Sequence, residues 1–227
     1  LLRNTELDRL LYLDPDILVT SSLNEIYSAL DSHNVVLTPH LDVDYPDDGL
    51  LPNDAHIMKS GIYNLGFIGV RQSGTTFEFL QWWQTKLRDR CVIDHGAGYF
   101  VDQKFIDYAQ PLFEGFGIIS DPGCNVAYWN IHSREISRRE GQWFCNETLL
   151  KFFHFSDYKP ETPGVISRHQ NRFSFERAPE LKVLFDEYRD SLIRHQYEQT
   201  LTWPYSFGAF SNGRAITDVE RAFARRS

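Results

Sequence analysis

Two carboxylates, Asp14 and Asp16, follow the apolar run Leu10-Leu11-Tyr12-Leu13, with only Pro15 between them. Residues i and i+2 of an extended chain point the same way. A strand ending there delivers two hard oxygen donors to one side of a sheet edge, where open α/β folds bind ligands. That donor set suits Mg²⁺ or Mn²⁺, which keep positions open for phosphate oxygens. A turn or a helix cap is the other use of such residues. Spacing alone does not choose, because Asp42-Val43-Asp44 repeats the pattern in an acidic loop. That second pair is expected to be solvated.

Three more segments hold chemistry-bearing residues. Asn64, Gly66 and Gly69 lie in the apolar run Ile62–Val70. Glycine there permits a ligand to approach the backbone, or marks a bulge. Asp102 and Gln103 follow a Gly96-Ala97-Gly98 turn at the start of a short helix, where Asp102 can also cap. His154 stands between Phe153 and Phe155 at a strand end, a usual place for a satisfied core or rim histidine. Lys159, five residues on in a loop, can meet phosphate or water.

The elements that must position these residues alternate. Strands are expected at Leu10–Leu13 (buried and parallel), Ile17–Val19, Val35–Pro39, Tyr63–Val70, Phe116–Ser120 and Phe152–Phe155. Helices are expected at Leu23–Ser32, capped by Ser21-Ser22, at Thr76–Arg88, at Phe100–Tyr108 and at Pro179–Gln199. Strands alternating with helices indicate an α/β domain.

Composition narrows the function classes. The chain has 227 residues and a net charge of −8, which disfavours a dedicated nucleic-acid binder. No apolar run reaches the roughly 18–20 residues that span a bilayer. Cys91, Cys124 and Cys145 form neither a disulfide framework nor a zinc pattern, so buried free thiols in a reducing, cytoplasmic setting are expected. Tyr128, Trp129, Trp143, Trp203 and Tyr205 are expected in the core, with sugar-stacking faces as the other reading. The Arg221–Arg226 end reads as a solvated tail. The chain opens on Leu1 and its only Met is Met58, so an upstream segment is expected.

Taken in order, Tyr-Leu-Asp-Pro-Asp-Ile-Leu-Val, Tyr-Asn-Leu-Gly-Phe-Ile-Gly-Val, Asp-Gln and His-Phe-Ser…Lys-Pro resemble the GT-A fold nucleotide-sugar glycosyltransferases. The group is that of glycogenin and the bacterial lipopolysaccharide galactosyltransferases. His154–Tyr158 with Ser167–Arg172 also resembles bacterial surface-polysaccharide glycosyltransferases, which are often multi-module. The likeness covers residues 7 to 172. It implies a mixed sheet with flanking helices over residues 1–172, the N-terminal nucleotide-binding part missing, and a helical extension over 173–227. It implies a metal-dependent transfer, with retention, from a nucleotide-diphosphate sugar, UDP-linked first, to a glycan or lipopolysaccharide acceptor. By the same resemblance Asp14, Asp16 and His154 hold Mn²⁺ or Mg²⁺, and Lys159 contacts the diphosphate. Asn64 and Gly66 line the donor sugar, and Asp102 and Gln103 sit beside sugar and acceptor. A peripheral membrane contact would run through parts outside this chain.

The sequence departs from that pattern at three places. Asp157 stands where the group has Gly, Lys159 comes one residue early, and Glu161 replaces Trp. Two other readings remain open. A haloacid-dehalogenase-like phosphohydrolase also carries Asp-x-Asp after its first strand, but Leu18 stands where its motif has Thr or Val. A carbohydrate- or nucleotide-sugar-binding module without turnover is the non-enzymatic alternative.

Overall fold

The computed structural model describes Leu2 and residues 6–224 of the chain; Leu1, Arg225 and Arg226 lie outside the described residues. The fold is mixed α/β with small sheets. A four-stranded sheet has the order β1 (Arg9–Leu13), β4 (Tyr63–Arg71), β3 (Val35–Pro39), β7 (Phe116–Ile118). Strands β1 and β4 are antiparallel, β4 and β3 are antiparallel, and β3 and β7 are parallel. The first strand is therefore an antiparallel edge strand and not a buried parallel one. Its residues are only half buried and Tyr12 is exposed, because one flank has no neighbour among the described strands.

Apolar side chains of the sheet feed two cores. Helix α3 (Gly74–Arg90) covers one face, where Val35, Leu37, Leu65, Ile68 and Val70 meet Phe79 and Ile106. Its start is fixed by Ser73, whose Oγ accepts from the Thr76 N–H at 3.0 Å. The other core joins Ile26 and Leu30 to Val36, Phe67, Cys124 and Phe152. Ile26 belongs to α1 (Asn24–Ala29), shorter than expected. Its N-cap is Leu23, and Ser22 assists only by accepting from the Asn24 N–H at 3.2 Å.

Alternation fails once along β4. Leu65 and Ile68 pack into the same core although they stand three positions apart, and Phe67 packs into the other. The register confirms the slip: Leu37 faces Ile68 but Pro39 faces Tyr63. Such a bulge kinks a strand and re-aims its side chains. Here it falls on Asn64–Phe67.

A second short pairing joins β2 (Ile17–Val19) to β11 (Phe152–His154), antiparallel, with His154 opposite Ile17. Polar stretches without strong alternation also form structure. Helix α2 (Asp54–Ser60) follows the acidic loop, and β5 (Ile93–Asp94) pairs with β6 (Tyr99–Phe100). A three-stranded meander runs β10 (Thr148–Leu149), β9 (Gln142–Cys145), β8 (Ile136–Arg139). Gln103–Tyr108 is a 3₁₀ turn, and Asp102, just before it, makes no side-chain capping bond.

The chain forms two compact units, Leu1–Phe185 and Asp186–Ser227. Helix α4 (Pro179–Arg194) runs across that division and stops five residues short of the expected end, where Gln196 takes φ 66° before α5 (Tyr197–Thr200). In the second unit, α6 (Asp218–Ala224) starts at a capping pair: Thr217 N–H donates to Glu220 Oε2 at 2.9 Å. Trp203 and Tyr205, expected in the core, are 65% and 71% exposed. Arg221 is not simply solvated, since its Nη2 donates to the Phe207 carbonyl at 2.9 Å. Among the described residues no helix is long and apolar enough to cross a membrane.

All three cysteines are free, but Cys91 is exposed, against expectation; it follows the last residue of α3. Burial pushes the Cys124 and Cys145 thiols up to about 12, which suppresses the reactive thiolate. A thiol reagent at pH 8 is therefore expected to label Cys91 in the native protein and the other two only after denaturation. Mass spectrometry of the labelled peptides reads this, and early labelling of Cys124 or Cys145 would contradict the burial.

Candidate functional site

Asp14 closes β1, and its N–H donates to the Gly66 carbonyl at 2.8 Å, pinning it to the β4 bulge. The Asp14-Pro15-Asp16 turn returns at once into β2, with Ile17 N–H donating to the Asp14 carbonyl at 3.1 Å. Pairing of β2 with β11 then brings His154 to the same place. The Asp16 carbonyl accepts from Phe155 N–H at 2.8 Å, and the Val126 carbonyl accepts from His154 N–H at 2.7 Å. Asp14, Asp16 and His154, separated in sequence, converge with ligand atoms all within 4.8 Å of one another.

Within the trio, His154 Nε2 lies 3.1 Å from Asp16 Oδ1 and 3.9 Å from Asp14 Oδ2. Burial alone would raise the Asp16 carboxyl; the hydrogen bond and charge of His154 outweigh it and hold it below the usual carboxylate value. Asp14 has another partner that the sequence did not signal: the Tyr12 hydroxyl donates to its Oδ1 at 2.7 Å. That bond, with burial and the charges of Asp14, Asp102 and Asp16, pushes the Tyr12 phenol up to about 12, so it remains a donor. Two carboxylates and one imidazole fit a Mn²⁺- or Mg²⁺-type ion by donor chemistry. His154 Nδ1 is buried and has no hydrogen-bond partner.

Gly66 is the floor of the site. A Cβ there would lie 2.4 Å from His154 Cε1 and 2.6 Å from Nδ1. Glycine lets the imidazole rest on the β4 backbone. Gly69, by contrast, makes room for Val36 and Leu11, which is core packing rather than ligand access.

Asn64 does not face an open pocket. It is buried, its Oδ1 accepting from Gly66 N–H at 3.1 Å and Asn125 Nδ2 at 3.0 Å. Asn125 also donates to Thr38 Oγ1 at 2.8 Å, and Asn130 Nδ2 donates to the Asn125 carbonyl at 3.0 Å. Trp129, buried, sets its ring edge-on to both His154 and His40, at 5.2 and 5.3 Å between centroids. Asn125, Trp129 and Asn130 share one short segment, which meets Asn64, Thr38 and His40 from elsewhere in the chain.

Burial pushes the His40 imidazole down from 6.5 to about 4, with smaller opposing influences from nearby carbonyls. Between those values the unfolded chain binds the extra proton. Stability is thus full above about pH 6.5 and falls as pH drops toward 4. At pH 5 the expected loss is about 2 kcal/mol. Urea midpoints at pH 7 and pH 5 measure it, and His40→Gln should flatten the dependence; an unchanged slope in that variant would remove His40 as its cause.

The remaining expected site residues are spread out. Asp102 lies near the trio, its carboxyl raised first by burial and further by the charge of Asp14. It shares with Tyr12 a cavity of about 1010 Å³, whose wall continues over Leu65, Ile68, Leu80 and Trp83. Gln103 is committed to structure: its Oε1 accepts from Leu65 N–H at 3.4 Å and its Nε2 donates to the Ser60 carbonyl at 2.8 Å. Lys159 is exposed on the loop after β11, outside the cluster.

The departure at Asp157 has a geometric meaning. It takes φ 62°, the left-handed region that glycine favours and aspartate tolerates. Its carboxylate holds Arg168, at 3.0 Å from Nη2. The second Asp-x-Asp pair is exposed, as expected, although Asp42 also pairs with buried Arg134 at 3.2 Å and accepts from Ser133 Oγ at 3.3 Å.

No family model matches the chain. No solved structure matches it. Among curated proteins it is similar to two from Bacillus subtilis (strain 168). It is 29% identical over 199 residues to one named "Uncharacterized protein YfnF", covering 87% of this chain and 64% of that protein. It is 24% identical over 153 residues to "Uncharacterized protein YfnD", covering 65% of this chain and 46% of that one. The chain thus spans from about half to two-thirds of the length of these relatives.

Proposed function

We propose that the protein is a metal-dependent glycosyltransferase of GT-A type, moving a sugar from a nucleoside-diphosphate sugar to a glycan acceptor. The observation that carries this reading is the convergence of Asp14, Asp16 and His154 at the end of an apolar strand. A bound Mn²⁺ or Mg²⁺ would supply positive charge where the departing diphosphate gains negative charge. In this reading Tyr12 orients the Asp14 carboxylate, and Gly66 and Trp129 fix the imidazole plane of His154. Asp102, which shares the cavity wall with Tyr12, meets a sugar hydroxyl. Gln103 is a positioning residue, because both ends of its amide are already bonded. The cavity is of the size that holds a small-molecule substrate.

The test is release of free nucleoside diphosphate by the full-length protein from a panel of UDP- and GDP-sugars, with Mn²⁺ added or chelated. Release that depends on the metal supports the proposal. If nucleotide sugars bind and none turns over with any acceptor offered, the reading fails in favour of a binding module.

A further inference from the structure

The large aromatic side chains divide unevenly along the chain. Among the described residues the exposed phenylalanines are Phe207, Phe210 and Phe223, and the exposed tryptophan is Trp203. Every other Phe and Trp is buried or half-buried. All four exposed rings belong to the second unit, and exposed Tyr205 stands among them. Leu201 and Val219 add exposed aliphatic surface in the same stretch. Exposed apolar residues are ordinary when scattered, but a concentration of them marks a surface that meets something.

Local structure holds these rings outward. Residues 208–216 close as a tight hairpin, in which Ile216 N–H donates to the Gly208 carbonyl and Phe210 N–H to the Arg214 carbonyl, each at 2.9 Å. The Tyr205 and Phe207 rings pack edge-on, 5.9 Å between centroids. Arg221 ties α6 to the same place through the Phe207 carbonyl. Val219 and Phe223, four positions apart on α6, share one helix face.

Charge and shape select the occupant. Residues 201–227 carry four arginines against Asp218 and Glu220, a net charge of +2 in a chain whose total is −8. Glu220 is spent on Arg214, at 2.6 Å, which leaves Arg221, Arg225 and Arg226 against Asp218 alone. Aromatic rings beside arginines are the residue set of a membrane interface, where the rings enter the acyl boundary and the guanidinium groups stay with the head groups. Trp203, Tyr205, Phe207 and Phe223 are between 65% and 74% exposed, so they project singly. A fluid lipid surface takes such projections as they are, whereas a protein partner needs a fitted pocket for each.

We infer that residues 201–227 dock the protein peripherally on an anionic lipid surface, with the rings of Trp203, Tyr205, Phe207 and Phe223 entering the head-group boundary. The membrane contact then lies inside this chain. The inference does not rest on the proposed transferase reaction, which uses none of these residues.

Co-sedimentation of the full chain with phosphatidylcholine vesicles, with and without phosphatidylglycerol, tests it. Binding to the vesicles that contain phosphatidylglycerol is expected, and it should fall as salt is added. Trp203→Ser and Phe207→Ser should each weaken it about tenfold, the loss of one ring from the lipid boundary. Both side chains are exposed, so the melting temperature should hold, which separates lost docking from lost folding. Asp16→Ala should leave the binding unchanged. Sedimentation velocity without lipid reads a competing occupant: a dimer that Trp203→Ser dissociates would assign the rings to a second copy and overturn the inference. Absence of binding to either vesicle, which would leave the surface to a protein partner, overturns it too. So does equal binding to uncharged vesicles, or binding indifferent to both serine substitutions.

Discussion

Replacing Asp16 with alanine is expected to lower the metal-dependent release of nucleoside diphosphate by about 10²–10³-fold, the cost of losing one group that stabilises developing negative charge. The residue is well suited as a probe. Its side chain is partly exposed, so its removal leaves no large cavity, and its main-chain bond to Phe155 does not need the carboxylate. What disappears is the oxygen 3.1 Å from His154 Nε2. Binding of Mn²⁺ followed by titration should weaken in parallel, which separates a ligand from a residue that only shapes the turn. Asp14→Ala should act similarly, with the Tyr12 hydroxyl losing its acceptor. A variant that keeps its circular dichroism spectrum, Mn²⁺ affinity and rate would sink the metal assignment.

Gly66→Ala is expected to weaken Mn²⁺ binding by about 10–100-fold, the size of effect seen when a neighbour that orients a metal ligand is changed. The new methyl would sit 2.4 Å from His154 Cε1 and 2.8 Å from Asn64 Oδ1, far inside contact distance. The imidazole cannot retreat freely, because Trp129 packs edge-on against it. Overpacking of this kind costs about 1–3 kcal/mol of stability. The double variant Gly66→Ala/His154→Ala distinguishes clash from backbone effects. With the ring gone, alanine at position 66 should cost clearly less in the urea midpoint than it does alone. Equal costs in both backgrounds would mean that the glycine serves the bulge and not the histidine.

Much of this arrangement is legible in the sequence. Strand β3, the body of β4 and helix α3 announce themselves through apolar runs and a one-sided helical stripe. The metal-type trio is legible too, but only because the order of several weak motifs resembles a known group. The direction of β1 is not legible: an apolar run looks the same beside a parallel or an antiparallel partner, and its partner β4 lies far along the chain. The β8–β10 meander hides because Arg138, Arg139, Glu140 and Gly141 break its apolar pattern. Trp129 and Asn125 reach the wall of the site through long-range contacts with His154 and Asn64, which no local period or spacing reveals.

The pairing of β2 with β11 has a thermodynamic consequence. The two carboxylates come from the start of the first unit and the imidazole from far along it, and their meeting depends on that ladder. In the unfolded chain closing so long a loop is entropically unfavourable, so the three donors are not assembled there. An ion taken up by the trio therefore binds the native state alone. Its affinity becomes folding stability by mass action, about 2.7 kcal/mol when its concentration is about one hundred times the dissociation constant. The melting temperature of the protein then serves as a gauge of free metal.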